Sequence, residues 1–310
     1  MSSVIGLENS RLFCTSFVPY QSERPERMTV GVGALCESGA CIVLGWDTRA
    51  SYDAAHHLGP NDLTGKVYDL PHGCFVDIAG ALHECHSVSS QLTVEFGKFG
   101  EKFELDEARN AINEARFYEY RQIGGERIFA KFGLPLSEWH KLPKDAAAYQ
   151  GGMNVFKRLP LQVELIVAGF KNKNPQETSA GSTSAILFRA IGKHPVEPEN
   201  NFTVIGSGGK EARRVLDKRG QNPHRSWQRT AIDVIAALRV ARRGNKRAVG
   251  YPDDLLVIFQ TETKRLPVGA TFVKTMLERT RKAKISQFES FDETTNELLT
   301  SLLYPQPPTM

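Results

Sequence analysis

Long apolar runs are missing from this 310-residue chain. None reaches the roughly 20 residues that a membrane-crossing helix needs, so no membrane span is expected. The opening MSSVIGLENSRLFCTSF lacks a basic start followed by a long apolar block and makes a poor secretory leader. Cysteine is sparse. The five residues Cys14, Cys36, Cys41, Cys74 and Cys85 are odd in number, and no two are spaced as CxxC. That disfavours a disulfide framework and a thiolate zinc site, and fits reduced thiols in a cytoplasm. No metal or cofactor is called for. The net charge of +4 is mild, and there is neither an arginine–aromatic stripe nor a dense basic block. The short run RTRKAK reads as a solvated helix face, and nucleic acid is not an expected partner. No internal repeat is present, which excludes a solenoid.

What is present is ordinary for a globular protein: 41% apolar and 24% charged residues, in a length that suits one large domain or two small ones. TVGVGA and ACIVLGWD are Val/Gly-rich and flank the turn-like CESG, which predicts a hairpin of two buried strands. A polar, turn-rich loop follows, and KVYDL and CFVDIAGA form a second hairpin around PHG. The period then changes. ALHECHSVSSQLTVEFGKF and LDEARNAINEARFYEYRQI space their apolar residues as helices, and the adjacent Cys85 and His86 read as helix packing. Residues 124–159 carry Gly, Pro and aromatics without a clean period. Strands return at LQVELIVAGF, SAILFRAI and NFTVIG, helices at GGKEARRVLDK and SWQRTAIDVIAALRVARR, and a strand at DDLLVIF. Segregated runs of this kind predict an α+β fold with two sheets between helical layers and argue against a parallel βαβ alternation. The tail, residues 263–310, holds one amphipathic segment, FESFDETTNELLTSLL, and a Pro-rich end, either docked on a partner or mobile.

The dipeptide Met28-Thr29 is a chemical candidate. A chain beginning at Thr29 would set a free amine beside a hydroxyl. An ordinary α-amine has a pKa of about 7.7–8.0, so it can serve as a general base for its own side chain. The plain alternative is a β-branched residue that opens a strand.

MTVGVGALCESGACIVLGWDTRAS resembles the front of proteasome β-type subunits and their bacterial relatives, the N-terminal nucleophile hydrolases. GKVYDLPHG and DIAGALHE match the family's next hairpin, with Lys66 and Gly80 at the spacing of its catalytic lysine and oxyanion glycine. VELIVAGF, AILFRAI, FTVIGSGGKEA and VGYPDDLLVI match its later strands, so the resemblance runs from Thr29 to Gln260. The α-type signature, a QVEYA-like run before the first strand, is absent.

The resemblance implies a four-layer αββα sandwich with two antiparallel sheets. It implies a threonine hydrolase of peptide or amide bonds, self-associated into a ring or other homo-oligomer. Thr29 would be the nucleophile and Lys66 the neighbouring ammonium that eases its deprotonation; a surface lysine at a strand start is the plain reading. Asp47 would pair with Lys66, with Arg49 as the competing partner. Gly80 would supply an oxyanion N–H, or simply make a tight strand-to-helix turn. Ser207 would support the nucleophile, or cap the following helix. The Asp and Ser that active members carry before the last core strand align with Lys246 and Val249. That substitution keeps two rivals in view, an inactive structural subunit and a small-amide amidohydrolase. The expected organisation is residues 1–28 as a propeptide or an upstream extension before a start at Met28, 29–262 as the hydrolase domain, and 263–310 as the tail.

Overall fold

A computed structural model of the chain describes residues 29–47, 66–100, 102–125, 138, 141–171, 185–244 and 252–267. The leader, Arg49, Lys246, Val249 and the amphipathic tail segment lie outside the described residues.

Gly31–Cys36 (β1) and Cys41–Asp47 (β2) form the first hairpin, and Val67–Leu70 (β3) and Cys74–Gly80 (β4) the second. Helices Leu82–Phe96 (α1) and Leu105–Gly124 (α2) follow, then helix Ala147–Arg158 (α3). Strands Val163–Phe170 (β5), Ala185–Ile191 (β6), Glu197–Pro198 (β7) and Phe202–Ile205 (β8) lead to helices Gly209–Arg219 (α4) and Trp227–Gly244 (α5). Pro252–Phe259 (β9) and Thr263–Pro267 (β10) close the described chain. Each pairing is antiparallel, and the strands make two five-stranded sheets, β10-β9-β2-β1-β8 and β3-β4-β5-β6-β7.

Strand periodicity builds the layers. Val32, Ala34 and Cys36 of β1 pack with Val234 and Leu238 of α5 on one side. The alternate residue Leu35 meets Ile166 and Leu187 of the other sheet. On that second sheet Val76 and Ile78 face Val88 and Leu92 of α1 and Ile112 of α2, whereas Phe75 and Ala79 face the first sheet. Three apolar seams therefore bind four layers, α4/α5, sheet, sheet and α1/α2. Because both faces of the sheets are covered, β1 and β2 are buried throughout and read as nearly continuous apolar runs. This is the expected α+β sandwich.

Two charged clusters fasten helices. Asp233 of α5, fully buried, accepts from Arg219 at 2.8 Å and Arg225 at 2.5 Å. Arg116 of α2 is buried, donates to the carbonyls of Gly192 and His194, and is pushed down to about 10 by desolvation. The four described cysteines are buried. Among the described residues no helix is long and apolar enough to cross a membrane.

Helix α3 and strands β7 and β10 went unread in the sequence. Helix α3 lies in the stretch that showed no period; its Phe156 ring packs 4.5 Å from that of Tyr120, centroid to centroid. Strand β10 lies beyond residue 262, where the sequence placed the end of the domain, and pairs with β9 from Thr263 to Pro267.

Candidate active site

Thr29 stands two residues before β1, and Asp47 ends the neighbouring β2. The pairing of β2 with β9 slips between Gly45 and Asp47, the kind of bulge that re-aims a side chain. Lys66 precedes β3 on the other sheet. The fold brings these three together at one end of the sandwich.

Their side chains share one set of hydrogen bonds. The Thr29 hydroxyl donates to Asp47 Oδ1 at 2.8 Å and accepts from Lys66 Nζ at 2.5 Å. Lys66 Nζ also reaches Asp47 Oδ1 at 2.6 Å, and the Val30 N–H donates to the same oxygen at 2.9 Å. Asp47 has no exposure and Lys66 has 8%, so the pair is shielded from water, while Thr29 is half-buried. Buried charges persist when they are paired and hydrogen-bonded, and here one carboxylate oxygen gathers three donors. Chemically, an ammonium 2.5 Å from a threonine oxygen stabilises negative charge developing there. Of the two partners weighed for Asp47, Lys66 meets it, and Arg49 lies outside the described residues.

The turn between β8 and α4 holds the backbone of Thr29. The Gly208 N–H donates to the Thr29 carbonyl at 3.2 Å. Gly206 has φ +81°, and a Cβ there would fall 2.1 Å from that carbonyl oxygen, so this turn needs glycine twice over. Ser207 lies between them and is exposed. As a helix cap it is one residue early, because the N-cap of α4 is Gly208. The chain bends there to reach Thr29 before the helix begins.

Gly80 ends β4, exposed, opposite Val163 of β5. Its φ of +141° and the approach of the Gln162 carbonyl, 1.9 Å from where a Cβ would lie, restrict the position to glycine. Ala81 donates to that carbonyl at 3.0 Å and α1 begins at Leu82, so the tight-turn reading holds. Among the described contacts Gly80 does not join the hydrogen-bonded set of Thr29, Asp47 and Lys66.

Two acidic residues near the site were not singled out from sequence. Asp77 lies in the middle of β4, 1% exposed, on the face between the sheets. Its Oδ2 has no hydrogen-bond partner and occupies the space where a Cβ on Gly31 would be, 2.0 Å away. Burial pushes its carboxyl well above the ordinary range; Asp47 adds to the rise and Lys66 opposes it. Glu164 of β5 crosses between the sheets and accepts the Gly206 N–H at 2.8 Å, bracing the turn that holds Thr29. The available signal was an acidic residue inside each apolar strand, CFVDIAG and VELIVAGF.

Neither a protein-family model nor a curated protein sequence matches the chain. Solved structures do share its fold. A Gly-1 mutant of Anbu from Hyphomicrobium sp. strain MC1 is 16% identical, covers 84% of this chain and 99% of its own, and superposes with a TM-score of 0.54. Anbu from Yersinia bercovieri, described as an ancestral beta-subunit, is 15% identical, covers 91% of this chain and 99% of its own, and has a TM-score of 0.50. At these identities the likeness is one of fold.

Proposed function

We propose that this protein is a threonine-type N-terminal nucleophile hydrolase that cleaves amide bonds, with peptides as the leading substrate class. The observation that carries the reading is the Thr29 hydroxyl held between Lys66 Nζ at 2.5 Å and Asp47 Oδ1 at 2.8 Å. Two routes free the Thr29 amine: removal of residues 1–28, or translation from Met28 followed by loss of that methionine.

The released amine accepts the hydroxyl proton as Oγ1 attacks an amide carbonyl. Lys66 stabilises the charge on Oγ1, Asp47 keeps the ammonium in place, and the Gly80 N–H is the proposed donor to the oxyanion. The amine returns its proton to the leaving nitrogen. Water then hydrolyses the threonine ester by the same route in reverse. Ser207 is assigned a supporting role in the turn over Thr29. The shared fold with a protein described as a beta-subunit, together with the exposed apolar side chains Val94 on α1 and Phe117 and Tyr118 on α2, supports a homo-oligomer larger than a dimer. Lys246 and Val249, in place of the family's supporting pair, favour the structural-subunit reading as the rival.

The test combines N-terminal sequencing of the native protein with assays on fluorogenic peptides and small amides. The expected mature chain begins at Thr29. Thr29→Ala should be folded and inactive, and Thr29→Ser partly active. A mature chain that retains residues 1–28, or a Thr29→Ala protein with undiminished turnover, overturns the assignment. A Thr29-initiated protein that cleaves nothing moves the reading to a structural subunit.

A further inference from the structure

The nucleophile site has a charge problem that the three residues described above do not solve. With Thr29 in peptide linkage, Lys66 and Asp47 cancel. Releasing the amine adds a second cation beside the Lys66 ammonium, and like charges at that range drive a proton off the amine. An amine that acts as a base near neutral pH needs compensation in the same shielded space.

We propose that Asp77 is a positioning residue for the Thr29 amine: a carboxyl lodged between the sheets that supplies the counter-charge when the released amine is an ammonium. The proposal rests on the reading of Thr29 as an N-terminal nucleophile.

Geometry places Asp77 for this work. Its Oδ2 fills the space over Gly31, two residues along the chain from Thr29. In the β3–β4 ladder Asp77 opposes Val67, and the next residue, Ile78, donates its N–H to the Lys66 carbonyl at 3.1 Å. The carboxyl is 1% exposed, and Oδ2 has no hydrogen-bond partner. A buried polar atom without a partner is costly, and one kept beside a reactive centre calls for an explanation. Gly31 supplies half of it: the glycine leaves room for the carboxyl, because a Cβ there would overlap Oδ2.

The surroundings determine its charge. Lys66 attracts the ionised form, while Asp47 and desolvation oppose it. Glu164 of β5 opposes Ala79 on the same face, with its carboxylate on the Gly206 N–H. Arg189 of β6 lies two strands along the same row, opposite Ile166, which itself opposes Asp77. The nearby residues of β1 and β8, Gly31 and Ile205, bring no titratable group. In the peptide-linked chain burial and the Asp47 charge favour the protonated form of Asp77, against the pull of Lys66. When the amine is freed as –NH2, it takes the Asp77 proton, and the ammonium–carboxylate pair that results leaves the net charge of the site unchanged. The count closes: one proton leaves Asp77 for each positive charge gained at Thr29.

The test measures the amine directly. The mature protein and its Asp77→Asn variant are trace-labelled with an acylating reagent across pH, and modification of the Thr29 amine is read by mass spectrometry of the N-terminal peptide. Without the carboxylate, the ammonium gives up its proton more readily. The midpoint in Asp77→Asn is expected to fall by about one pH unit or more, and the acid limb of the pH–activity profile should move with it. Coincident midpoints overturn the role of Asp77 and leave Thr29 as the nucleophile. A native protein with no Thr29 amine to label overturns both. A second measurement needs no substitution: infrared spectra of the mature protein with its Thr29 amine free and with it acetylated. The protonated-carboxyl band should be present in the acetylated form and absent when the amine is free and protonated. An unchanged band overturns the proposal.

Discussion

Replacing Asp47 by Asn and Lys66 by Met, singly and together, separates what this buried pair does for the fold from what it does for chemistry. Asp47→Asn keeps the shape and an acceptor for Val30 and Thr29, but leaves the Lys66 ammonium, 8% exposed, without its carboxylate at 2.6 Å. Breaking a buried ion pair from one side costs about 3–5 kcal/mol, most of it from the charge left behind. Lys66→Met should cost less, because Asp47 Oδ1 keeps its bonds from the Thr29 hydroxyl at 2.8 Å and the Val30 N–H at 2.9 Å. The double variant has no unpaired charge, and such replacements are often neutral or stabilising. It should therefore be more stable than the sum of the singles by at least about 2 kcal/mol. Urea unfolding followed by tryptophan fluorescence is the assay, since Trp46, beside Asp47, and Trp227 are both buried. Activity should follow a different pattern and be lost by about 10²-fold or more in all three variants. Additivity within about 0.5 kcal/mol refutes the reasoning, because it would mean the two charges do not meet in the folded protein.

Gly206→Ala should fold poorly or lose activity by about 10²-fold, since φ +81° and the Thr29 carbonyl 2.1 Å from the new Cβ force the nucleophile to shift; turnover together with thermal melting checks this. Arg116→Met should destabilise without altering the Thr29 chemistry, because the Gly192 and His194 carbonyls each lose a donor at about 1–3 kcal/mol; urea midpoints and turnover read the two halves. In the chain with Thr29 still in peptide linkage, Asp77 binds a proton more tightly folded than unfolded. Its contribution is therefore fully present below the ordinary carboxyl value of 3.8 and declines as pH rises towards the raised folded value. Asp77→Asn should thus gain stability relative to the unmutated chain as pH rises above about 4, measured by urea unfolding at a series of pH values. A gain that grows towards acid pH contradicts the direction assigned to Asp77.

The sandwich was legible in the sequence because its signals are local. Alternation in CFVDIAGA, the uninterrupted apolar character of ACIVLGWD and the helical spacing of SWQRTAIDVIAALRVARR each report burial on a face that the chain itself defines. Thr29, Asp47 and Lys66 were reached through resemblance in motif order, and all three lie at the ends of strands that the periodicity had already marked. Helix α3 escaped because its first turns are rich in Ala and Gly, AAYQGG, and its apolar contacts are made with α2, a partner far back in the chain. Strand β10, TKRLP, is charged and carries a proline, the composition of an edge strand, which local pattern does not separate from a tail.

Most of the strands and helices were readable from local pattern, and Thr29, Asp47 and Lys66 came through the resemblance in motif order. Only the stacking of the layers brings Lys66 to Asp47, closes the turn at Gly206 on the Thr29 carbonyl, and sets Asp77 against Gly31 across the seam between the sheets. Each of these is a contact between segments distant in sequence. Spacing along the chain records which way a side chain points, but only the stacking of one sheet on the other determines what it meets there.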